Sequence, residues 1–294
     1  MRAVALALFL LSGAGQALAA PMRLVDDIGA TVVIGAVPQR VVCLSPGAVE
    51  IIYALGAEGQ LKAVCGLCDF PPPAKSLPKV GDFLTVSVES VLGARPDLVV
   101  ATGGVQKELV LRLRSSGVPV LVLYPHTVEG IIENILLLGR AMGKESEGKR
   151  VAGRIRGQIA LIMGRSRQAL GREKVRVYFE VSPDPLIAAS SRGYVGELLF
   201  LAGGNNVVSG GLEEYPRISP EFIVSKDPEV IIVSHSASSA EALRMIKARP
   251  GWEKVSAVRN GRVYADLNMD LIMRPGPRVV TGLGLLSRRL SQAR

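Results

Sequence analysis

Cysteine and histidine supply the thiols and imidazoles with which proteins most often perform redox, metal or nucleophilic chemistry. Cys65 and Cys68 form a C-x-x-C motif, and Cys43 is the remaining cysteine. In an oxidising compartment two of these three thiols can form a disulfide and leave the third unpaired. A zinc site would need further ligands, and His126 and His235 are far away in the sequence. The sequence therefore leaves undecided whether a disulfide forms. Cys43 lies in an apolar run and is predicted to be a core residue.

The sequence patterns of common nucleotide-binding and hydrolytic enzymes do not occur in this sequence. No G-x-G-x-x-G follows the first predicted strand, and neither G-x-x-x-x-G-K-[ST] nor G-x-S-x-G is present. His126 and His235 each follow a strand pattern, so either can face a ligand there, but a catalytic pair would need a nucleophile or carboxylate partner that the sequence does not display. We predict that the protein is not an enzyme and has no metal site or cofactor of its own, with an α/β enzyme as a remote alternative.

Residues 1–19 are predicted to be a cleaved signal peptide. Arg2 precedes the apolar run Ala3–Leu11, and the small-residue motif Ala17–Ala19 follows. Cleavage would remove Arg2 and lower the formal net charge from +9 to +8. No cysteine follows the predicted cleavage site, so we do not expect a lipid anchor there. These features predict export to the periplasm.

The net positive charge is high enough to raise the question of nucleic acid binding. However, lysine and arginine are scattered along the sequence, and the densest group has helical spacing. That group is Arg150, Arg154, Arg156, Arg165, Arg167 and Arg172. A solvated helix face explains this spacing, and we therefore predict that nucleic acid is not a partner.

Two similar segments, separated by 132 residues, indicate an internal repeat. In the first copy, Ser87–Glu89 precedes Pro96–Val100. In the second copy, Ser219–Glu221 precedes Pro228–Ile232. The offset is constant, because both 219 − 87 and 228 − 96 give 132. Each copy has the pattern of a helix start, a short helix, a proline and a buried strand. A repeat at about half the chain length predicts two similar lobes, with a ligand between them.

Alternating apolar runs and helical patterns predict mostly parallel sheets covered by helices on both faces. The predicted strands are 40–44, 61–64, 98–101, 118–124, 175–181, 230–234 and 262–265. Glu145 to about Leu170 reads as one long helix, with an apolar stripe that includes Val151 and Ile155. We predict an α/β fold of two Rossmann-like lobes, residues 20–143 and 172–294, joined by one interdomain helix, residues 144–171.

The order and spacing of short motifs resemble one family: the periplasmic binding proteins that supply vitamin B12, haem and ferric siderophores to ABC importers. The motifs are Ser45-Pro46-x-x-x-Glu50, Asp69-Phe70-Pro71-Pro72, Lys79-Val80-Gly81, Gly203-Gly204-x-Asn206, Gly261-Arg262-Val263-Tyr264 and Pro275-Gly276-Pro277-Arg278. The loop from Cys68 to Pro72 most resembles the cobalamin-binding branch. The resemblance implies a monomer with a largely preformed cleft, cobalamin or another corrinoid as ligand, and an ABC permease dimer with its ATPase subunits as partner. Ferric siderophore and then haem are the alternative ligands.

The resemblance also implies the residues that bind the ligand. Phe83 and Tyr215 match positions at which aromatic side chains flank the corrin in cobalamin-binding relatives. Asp82, Arg217 and Asp270 are candidates for polar contacts at the rim. The alternative interpretation is that the two aromatic residues are ordinary, partly buried loop residues and that the three polar residues are surface residues.

Two glutamates are implied to dock onto the permease. In the family a surface carboxylate on each lobe contacts arginines of the permease subunits, and Glu89 and Glu221 match those positions. A second interpretation concerns the helices themselves. Ser87 and Ser219 read as N-caps, and a glutamate in the first turn of a helix interacts favourably with the helix dipole. The two interpretations are compatible.

Overall fold

The computed structural model describes residues 21–170, 173–211, 213–236 and 238–292. The predicted signal peptide, residues 1–19, lies outside the described residues. Residues 171 and 172, at the predicted boundary between the interdomain helix and the second lobe, lie outside them as well. Among the described residues, no helix combines the length and the apolar character that crossing a bilayer requires.

The N-terminal lobe is built around a parallel sheet. Its strands are β1 (Met22–Val25), β2 (Thr31–Ile34), β3 (Val41–Cys43), β4 (Leu61–Val64), β5 (Leu98–Thr102) and β6 (Val120–Leu123). The parallel sheet has the order β4-β3-β5-β6, and β1 and β2 form a separate antiparallel hairpin. The α-helices of this lobe are α1 (Pro46–Ala54), α2 (Val88–Gly93), α3 (Lys107–Ser115) and α4 (Val128–Ala141). The central strands are buried on both faces, which explains their unbroken apolar sequences.

The C-terminal lobe repeats this arrangement. Its strands are β7 (Val175–Pro183), β8 (Leu186–Ala188), β9 (Gly204–Asn206), β10 (Val230–Val233) and β11 (Val263–Tyr264). Strand β7 pairs in parallel with β9 and β10, β10 pairs in parallel with β11, and β8 is antiparallel to β7. The α-helices are α6 (Tyr194–Leu201), α7 (Pro220–Lys226), α8 (Ser239–Lys247), α9 (Ser256–Arg259), α10 (Asp270–Met273) and α11 (Val279–Ser291).

The long helix α5 (Glu145–Leu170) packs against α4 of the first lobe and α11 of the second. Val151 and Ile155 on its predicted apolar stripe are buried. The Ser166 hydroxyl lies 2.6 Å from the Ser287 hydroxyl of α11. One hydrophobic core continues through α4, α5 and α11 into both lobes. The predicted fold, two α/β lobes with mostly parallel sheets and a long helix between them, is confirmed.

Candidate ligand-binding cleft

A cleft of about 480 Å³ lies between the two lobes. The first lobe contributes loops that follow β3, β5 and β6, and the carboxyl ends of parallel strands are where such sheets usually bind ligands. From this lobe the lining residues are Ser45, Pro46, Gly47, Leu67, Phe83, Thr102, Gly103, Gly104, Val105, Tyr124 and Pro125. From the second lobe they are Val181, Tyr194, Glu214, Tyr215, Met273, Arg274 and Pro275.

Phe83 and Tyr215 line the same cleft from opposite lobes. Phe83 lies in a tight loop that begins at Gly81, where φ is +123° and a Cβ would lie 2.6 Å from the Thr85 carbonyl oxygen. Tyr215 is 40% exposed, and the segment that carries it is fixed to β8 because the Ala188 amide donates to the Pro216 carbonyl at 3.1 Å. The structure therefore brings together the two aromatic residues that the sequence proposed.

Gln106 holds the Phe83 loop in place, and sequence reasoning missed this residue. Its side chain is buried and donates through Nε2 to the carbonyls of Leu44, at 3.1 Å, and Phe83, at 3.2 Å. Its Oε1 accepts from the Thr102 amide at 3.1 Å. A single side chain thus joins the ends of β3 and β5 to the aromatic loop. Nothing in the local sequence indicated this role. Leu44 and Phe83 are distant in the sequence, Thr102 lies at the end of β5, and all three bonds are to backbone groups.

The proposed rim residues lie outside the cleft lining. Of the described residues that line the cleft, none is Asp82, Arg217 or Asp270. Asp82 is exposed and accepts from the Phe83 amide at 2.8 Å, and Arg217 is exposed and bridges through its backbone to Ile187. Asp270 begins α10. Their roles in binding stay predictions.

Arg274 is a cationic residue that does line the cleft, and the sequence did not single it out. Its Nε lies 3.0 Å from Asp270 Oδ1, one helical turn earlier, and its Nη1 lies 2.6 Å from Asp69 Oδ1 of the other lobe. The hydrogen bond from Arg274 holds the pKa of Asp69 below its ordinary value. Asp270 therefore positions Arg274 from α10 while Asp69 holds it from across the cleft. The four-residue spacing from Asp270 was the available signal.

A second polar contact between the lobes lies beside the cleft. His126 Nδ1 is hydrogen-bonded to Glu214 Oε1, and the His126 ring makes an edge contact with Tyr124 at 4.7 Å between centroids. Burial, with a further contribution from Glu214, raises the pKa of Tyr215 to about 12 and also raises that of Tyr124. Both phenols are therefore neutral donors at neutral pH.

The two lobes meet in close backbone contact at one end of the cleft. A Cβ on Gly47, in the first turn of α1, would lie 2.3 Å from the Pro275 carbonyl oxygen. A Cβ on Gly276 would lie 3.1 Å from the Gly47 carbonyl oxygen. Only glycine permits an approach this close. The Ser45-Pro46-Gly47 and Pro275-Gly276 motifs therefore form one interlobe junction.

A buried ion pair, Glu50 with Arg278, stands next to this junction. Arg278 Nε and Nη2 donate to the two carboxylate oxygens of Glu50, at 2.8 and 2.5 Å, and Glu50 is only 5% exposed. Arg278 also stacks on the Phe70 ring at 3.7 Å. Burial raises the pKa of Glu50, and the hydrogen bonds from Arg278 partly oppose this. The paired geometry favours the ionised carboxylate at neutral pH.

The sequence model of the periplasmic binding protein family matches residues 41–267. The chain belongs to this family. The vitamin B12-binding protein of Vibrio parahaemolyticus is 32% identical over 248 residues, which cover 83% of this chain and 86% of the relative. The family predicted from the sequence motifs is therefore confirmed.

Solved structures of periplasmic binding proteins agree with this assignment. The vitamin B12-binding protein BtuF of Vibrio cholerae has a TM-score of 0.76 and 28% identity, over 87% of this chain and 98% of that protein. The haem-binding protein RhuT of Roseiflexus also has a TM-score of 0.76, with 26% identity, over 87% of this chain and 98% of that protein. This chain is thus similar both to proteins named for vitamin B12 and to one named for haem.

The two proposed docking glutamates of this periplasmic binding protein lie on exposed helix starts. Ser87 accepts from the Ser90 amide at 3.1 Å, and Ser219 accepts from the Phe222 amide at 3.2 Å, so both predicted N-caps are confirmed. Glu89 and Glu221 follow in the first turns of α2 and α7. Backbone and Ser87 hydrogen bonds lower the pKa of Glu89, which keeps it ionised at neutral pH.

His235, in contrast, contacts a buried carboxylate of the second lobe. Glu180 is fully buried and accepts from His235 Nε2 at 2.7 Å. Arg249 donates to both oxygens of Glu180, at 2.6 and 2.7 Å. Of the described residues, no group of three or more His, Cys, Asp or Glu is placed to hold a metal ion. His235 is not among the described residues that line the cleft.

Proposed function

We propose that this periplasmic binding protein captures cobalamin or another corrinoid between its lobes and delivers it to an ABC permease. The protein acts as a carrier and performs no chemistry on the ligand. The observation that carries the proposal is that Phe83 of the first lobe and Tyr215 of the second line one cleft. A large, flat macrocycle needs apolar surfaces on both sides and a few polar groups at its edge. Arg274, Glu214 and Tyr124 supply those polar groups.

The relatives support the corrinoid as first candidate. A curated relative and a solved structure that resemble this chain over more than four-fifths of its length are both named for vitamin B12. Leu67 also lines the cleft, so an aliphatic side chain takes part in its apolar wall. An aliphatic residue packs against a macrocycle edge through contact area alone.

Haem is a second candidate because three tyrosines, Tyr124, Tyr194 and Tyr215, line the cleft. A tyrosine binds ferric haem iron as the phenolate. The Tyr194 hydroxyl is already bonded to the Ile272 carbonyl, and burial together with Glu214 raises the pKa values of the other two phenols. Coordination to ferric iron would itself deprotonate a phenol, so direct titration with both ligands decides between haem and the corrinoid. A ferric siderophore remains the alternative ligand of the same importer type.

Titration of the purified protein with cyanocobalamin, haem and a ferric hydroxamate tests the ligand. We expect saturable one-to-one binding of cyanocobalamin, with an affinity at least about ten-fold (~1.4 kcal/mol) above that of the other two. The heat released on binding and the change in the visible absorbance of the ligand are two independent measurements of binding. Tighter binding of haem or of the ferric hydroxamate would transfer the proposal to that ligand, and no binding of cyanocobalamin would remove the corrinoid.

The proposed route places the protein in the periplasm as a monomer after removal of residues 1–19. Glu89 on the first lobe and Glu221 on the second would contact basic residues of the permease dimer, whose ATPase subunits drive transport. One exposed acidic residue on each lobe suits a partner with two equivalent subunits. Intact mass measurement of the exported protein tests the cleavage site, with a first residue at or next to Ala20 as the expected result.

A further inference from the structure

The three cysteine side chains lie close together beside the cleft, where β3 and β4 end. All three are fully buried. Cys65 Sγ and Cys68 Sγ are 2.9 Å apart, as two thiols of which either can donate. The Cys43 thiol instead donates to the Ser45 carbonyl at 3.5 Å, and Cys68 Sγ contacts the Cys43 carbonyl at 3.9 Å. The direct contact between sulfur atoms therefore joins Cys65 to Cys68, while the Cys43 thiol points to a backbone oxygen.

A tight turn brings Cys65 and Cys68 together. The Cys68 amide donates to the Cys65 carbonyl at 3.0 Å, with Gly66 and Leu67 at the tip of the turn. A disulfide has an S–S distance of about 2.0 Å, so the sulfur atoms need to approach by less than 1 Å from their 2.9 Å separation. Rotation of the two side chains is the movement that would close this gap.

We propose that Cys65 and Cys68 form an intramolecular disulfide in the exported protein, which fixes the loop Leu67–Phe70 against the second lobe. Leu67 lines the cleft. The next residues of the loop hold the lobes together, because Asp69 pairs with Arg274 and Phe70 stacks on Arg278. A bond across the turn would therefore restrain one cleft residue and two interlobe contacts.

The bond forms by exchange with an external disulfide, such as oxidised glutathione or the disulfide of an oxidoreductase. One thiolate attacks that disulfide and releases the first external thiol, and the second cysteine then attacks the mixed disulfide and releases the other. Two protein thiols are oxidised and one external disulfide is reduced to two thiols. Either cysteine can make the first attack, because the two sulfur atoms share one contact in which either thiol can donate.

The burial of both sulfur atoms determines when this exchange takes place. An external disulfide cannot reach a fully buried thiol, so exchange occurs while the chain folds or when the loop opens. Lys79 ties two parts of this loop together. Its Nζ donates to the carbonyl of Cys68 at 2.9 Å and to the carbonyl of Ala74 at 3.2 Å. Once formed, the bond would be protected from external thiols in the same way.

Thiol counting on the purified mature protein tests the pairing. The protein is refolded in a glutathione redox buffer, unfolded in guanidinium chloride, alkylated and analysed by peptide mass spectrometry. We expect one alkylated thiol out of three, Cys43, and a peptide in which Cys65 and Cys68 are joined. Three alkylated thiols, or a bond that involves Cys43, would overturn the proposal. The oxidising location rests on the proposed export, but this test requires neither export nor a ligand.

Variants separate the pair from the third cysteine. Cys43→Ala should still lose both remaining thiols on oxidation, whereas Cys65→Ala and Cys68→Ala should each keep two free thiols. Circular dichroism identifies a variant that does not fold, and the wild-type peptide map decides the pairing without any variant. Loss of oxidation in a folded Cys43→Ala protein would contradict the assignment.

Hydrogen exchange tests the effect of the bond on the loop. Amides of the segment from Cys65 to Lys79 should exchange at least several-fold more slowly in the oxidised protein than in the reduced protein, with no change in helix α8, which packs against β11 and α9. Equal exchange in both states would show that the disulfide does not restrain the loop and would overturn that half of the proposal.

Discussion

Phe83 and Tyr215 reach the cleft from loops of different lobes, and each loop is held by hydrogen bonds to backbone groups. Gln106 fixes the Phe83 loop, and the Ala188 amide fixes the segment around Tyr215. Aromatic side chains on fixed loops lose little conformational freedom when a ligand binds. The two rings should therefore contribute directly to affinity.

Phe83→Ala and Tyr215→Ala should each weaken cyanocobalamin binding by about ten-fold, or ~1.4 kcal/mol, because each removes one aromatic wall. Calorimetric titration gives the affinity of each variant. Phe200→Ala is the matched control, since Phe200 is 59% exposed on α6 and does not line the cleft. Unchanged affinity in both cleft variants would place the ligand elsewhere.

The ion pair between Asp69 and Arg274 should make part of the stability depend on pH. Arg274 lowers the pKa of Asp69 in the folded protein, so the pair stabilises the fold above the ordinary pKa of about 3.8. This contribution is lost as the pH falls through the lowered value. Asp69 is 45% exposed, so Asp69→Asn should cost at most about 1 kcal/mol at neutral pH and nothing in strong acid.

Urea unfolding of the wild type and of Asp69→Asn at several pH values measures this difference. The two free energies of unfolding should converge as the pH falls. A difference that stays constant into acid would mean that the carboxylate charge does not contribute and that the variant acts through packing.

Sequence reasoning proposed the two aromatic residues that line the candidate cleft but missed Arg274 and Gln106. The aromatic residues follow recognisable loop motifs, whereas Gln106 acts through carbonyls that are up to 62 positions away. Asp270 was proposed as a rim residue from the family resemblance, yet its ion-pair partner Arg274, four residues later, is the one that lines the cleft. Which end of an i, i+4 ion pair faces a cavity depends on helix orientation, and that is set by tertiary packing.

At the scale of elements, α4 and α5 cross where two glycines face each other. A Cβ on Gly139 would lie 3.0 Å from the Lys144 carbonyl oxygen and 3.2 Å from the Gly148 Cα. These are backbone atoms, so neither can rotate away. This crossing connects the first lobe to the long helix.

Gly139→Ala should destabilise the protein by about 1–3 kcal/mol, because the added methyl group overpacks the crossing of α4 and α5. Gly153→Ala, on an open face of α5 with nothing within 4 Å of the new Cβ, should stabilise it by about 0.5–1 kcal/mol through helix propensity. Urea unfolding compares both variants with the wild type. A stabilised Gly139→Ala protein would show that the helices do not approach so closely.

The long helix was predictable because an apolar stripe and few breakers continue from Glu145 to Leu170. The hairpin of β1 and β2, the helix α3 and the short strands β8 and β9 were missed. Strand β9 reads Gly204–Asn206, and neither glycine nor asparagine favours strands, so pairing with β7 decides its structure. Tertiary contacts thus override local preference in these elements.

At the scale of the whole molecule, the interlobe junction restrains opening of the cleft. Gly47 and Gly276 allow backbone contact, and the buried pair of Glu50 and Arg278 stands beside them. The continuous core through α4, α5 and α11 adds a second connection. These connections support the expectation of a largely preformed cleft, which would lower the entropic cost of binding.

Arg278→Leu should destabilise the protein by roughly 3–5 kcal/mol at neutral pH, because it leaves Glu50 buried without its partner. Without Arg278, burial and the charge of Asp270 raise the folded pKa of Glu50 further against the smaller opposing effect of Arg274, so the variant should regain stability as the pH falls. The double variant Glu50→Leu with Arg278→Leu should lose less stability than Arg278→Leu alone, because it leaves no unpaired charge in the interior. Urea unfolding at neutral and acidic pH measures the free energy of unfolding of both variants. A single variant that loses no more stability than the double variant would contradict this prediction.

Glu89→Ala combined with Glu221→Ala should lower cobalamin uptake by at least about ten-fold, the effect of losing ~1.4 kcal/mol of permease affinity, and leave ligand affinity unchanged. Both side chains are exposed at helix starts, outside the cleft lining. Glu58→Ala with Glu253→Ala removes one exposed glutamate from each lobe and is the matched control. Uptake by cells that depend on this protein, together with calorimetric titration of the purified variants, separates docking from binding. Wild-type uptake by the Glu89 and Glu221 double variant would show that other residues contact the permease.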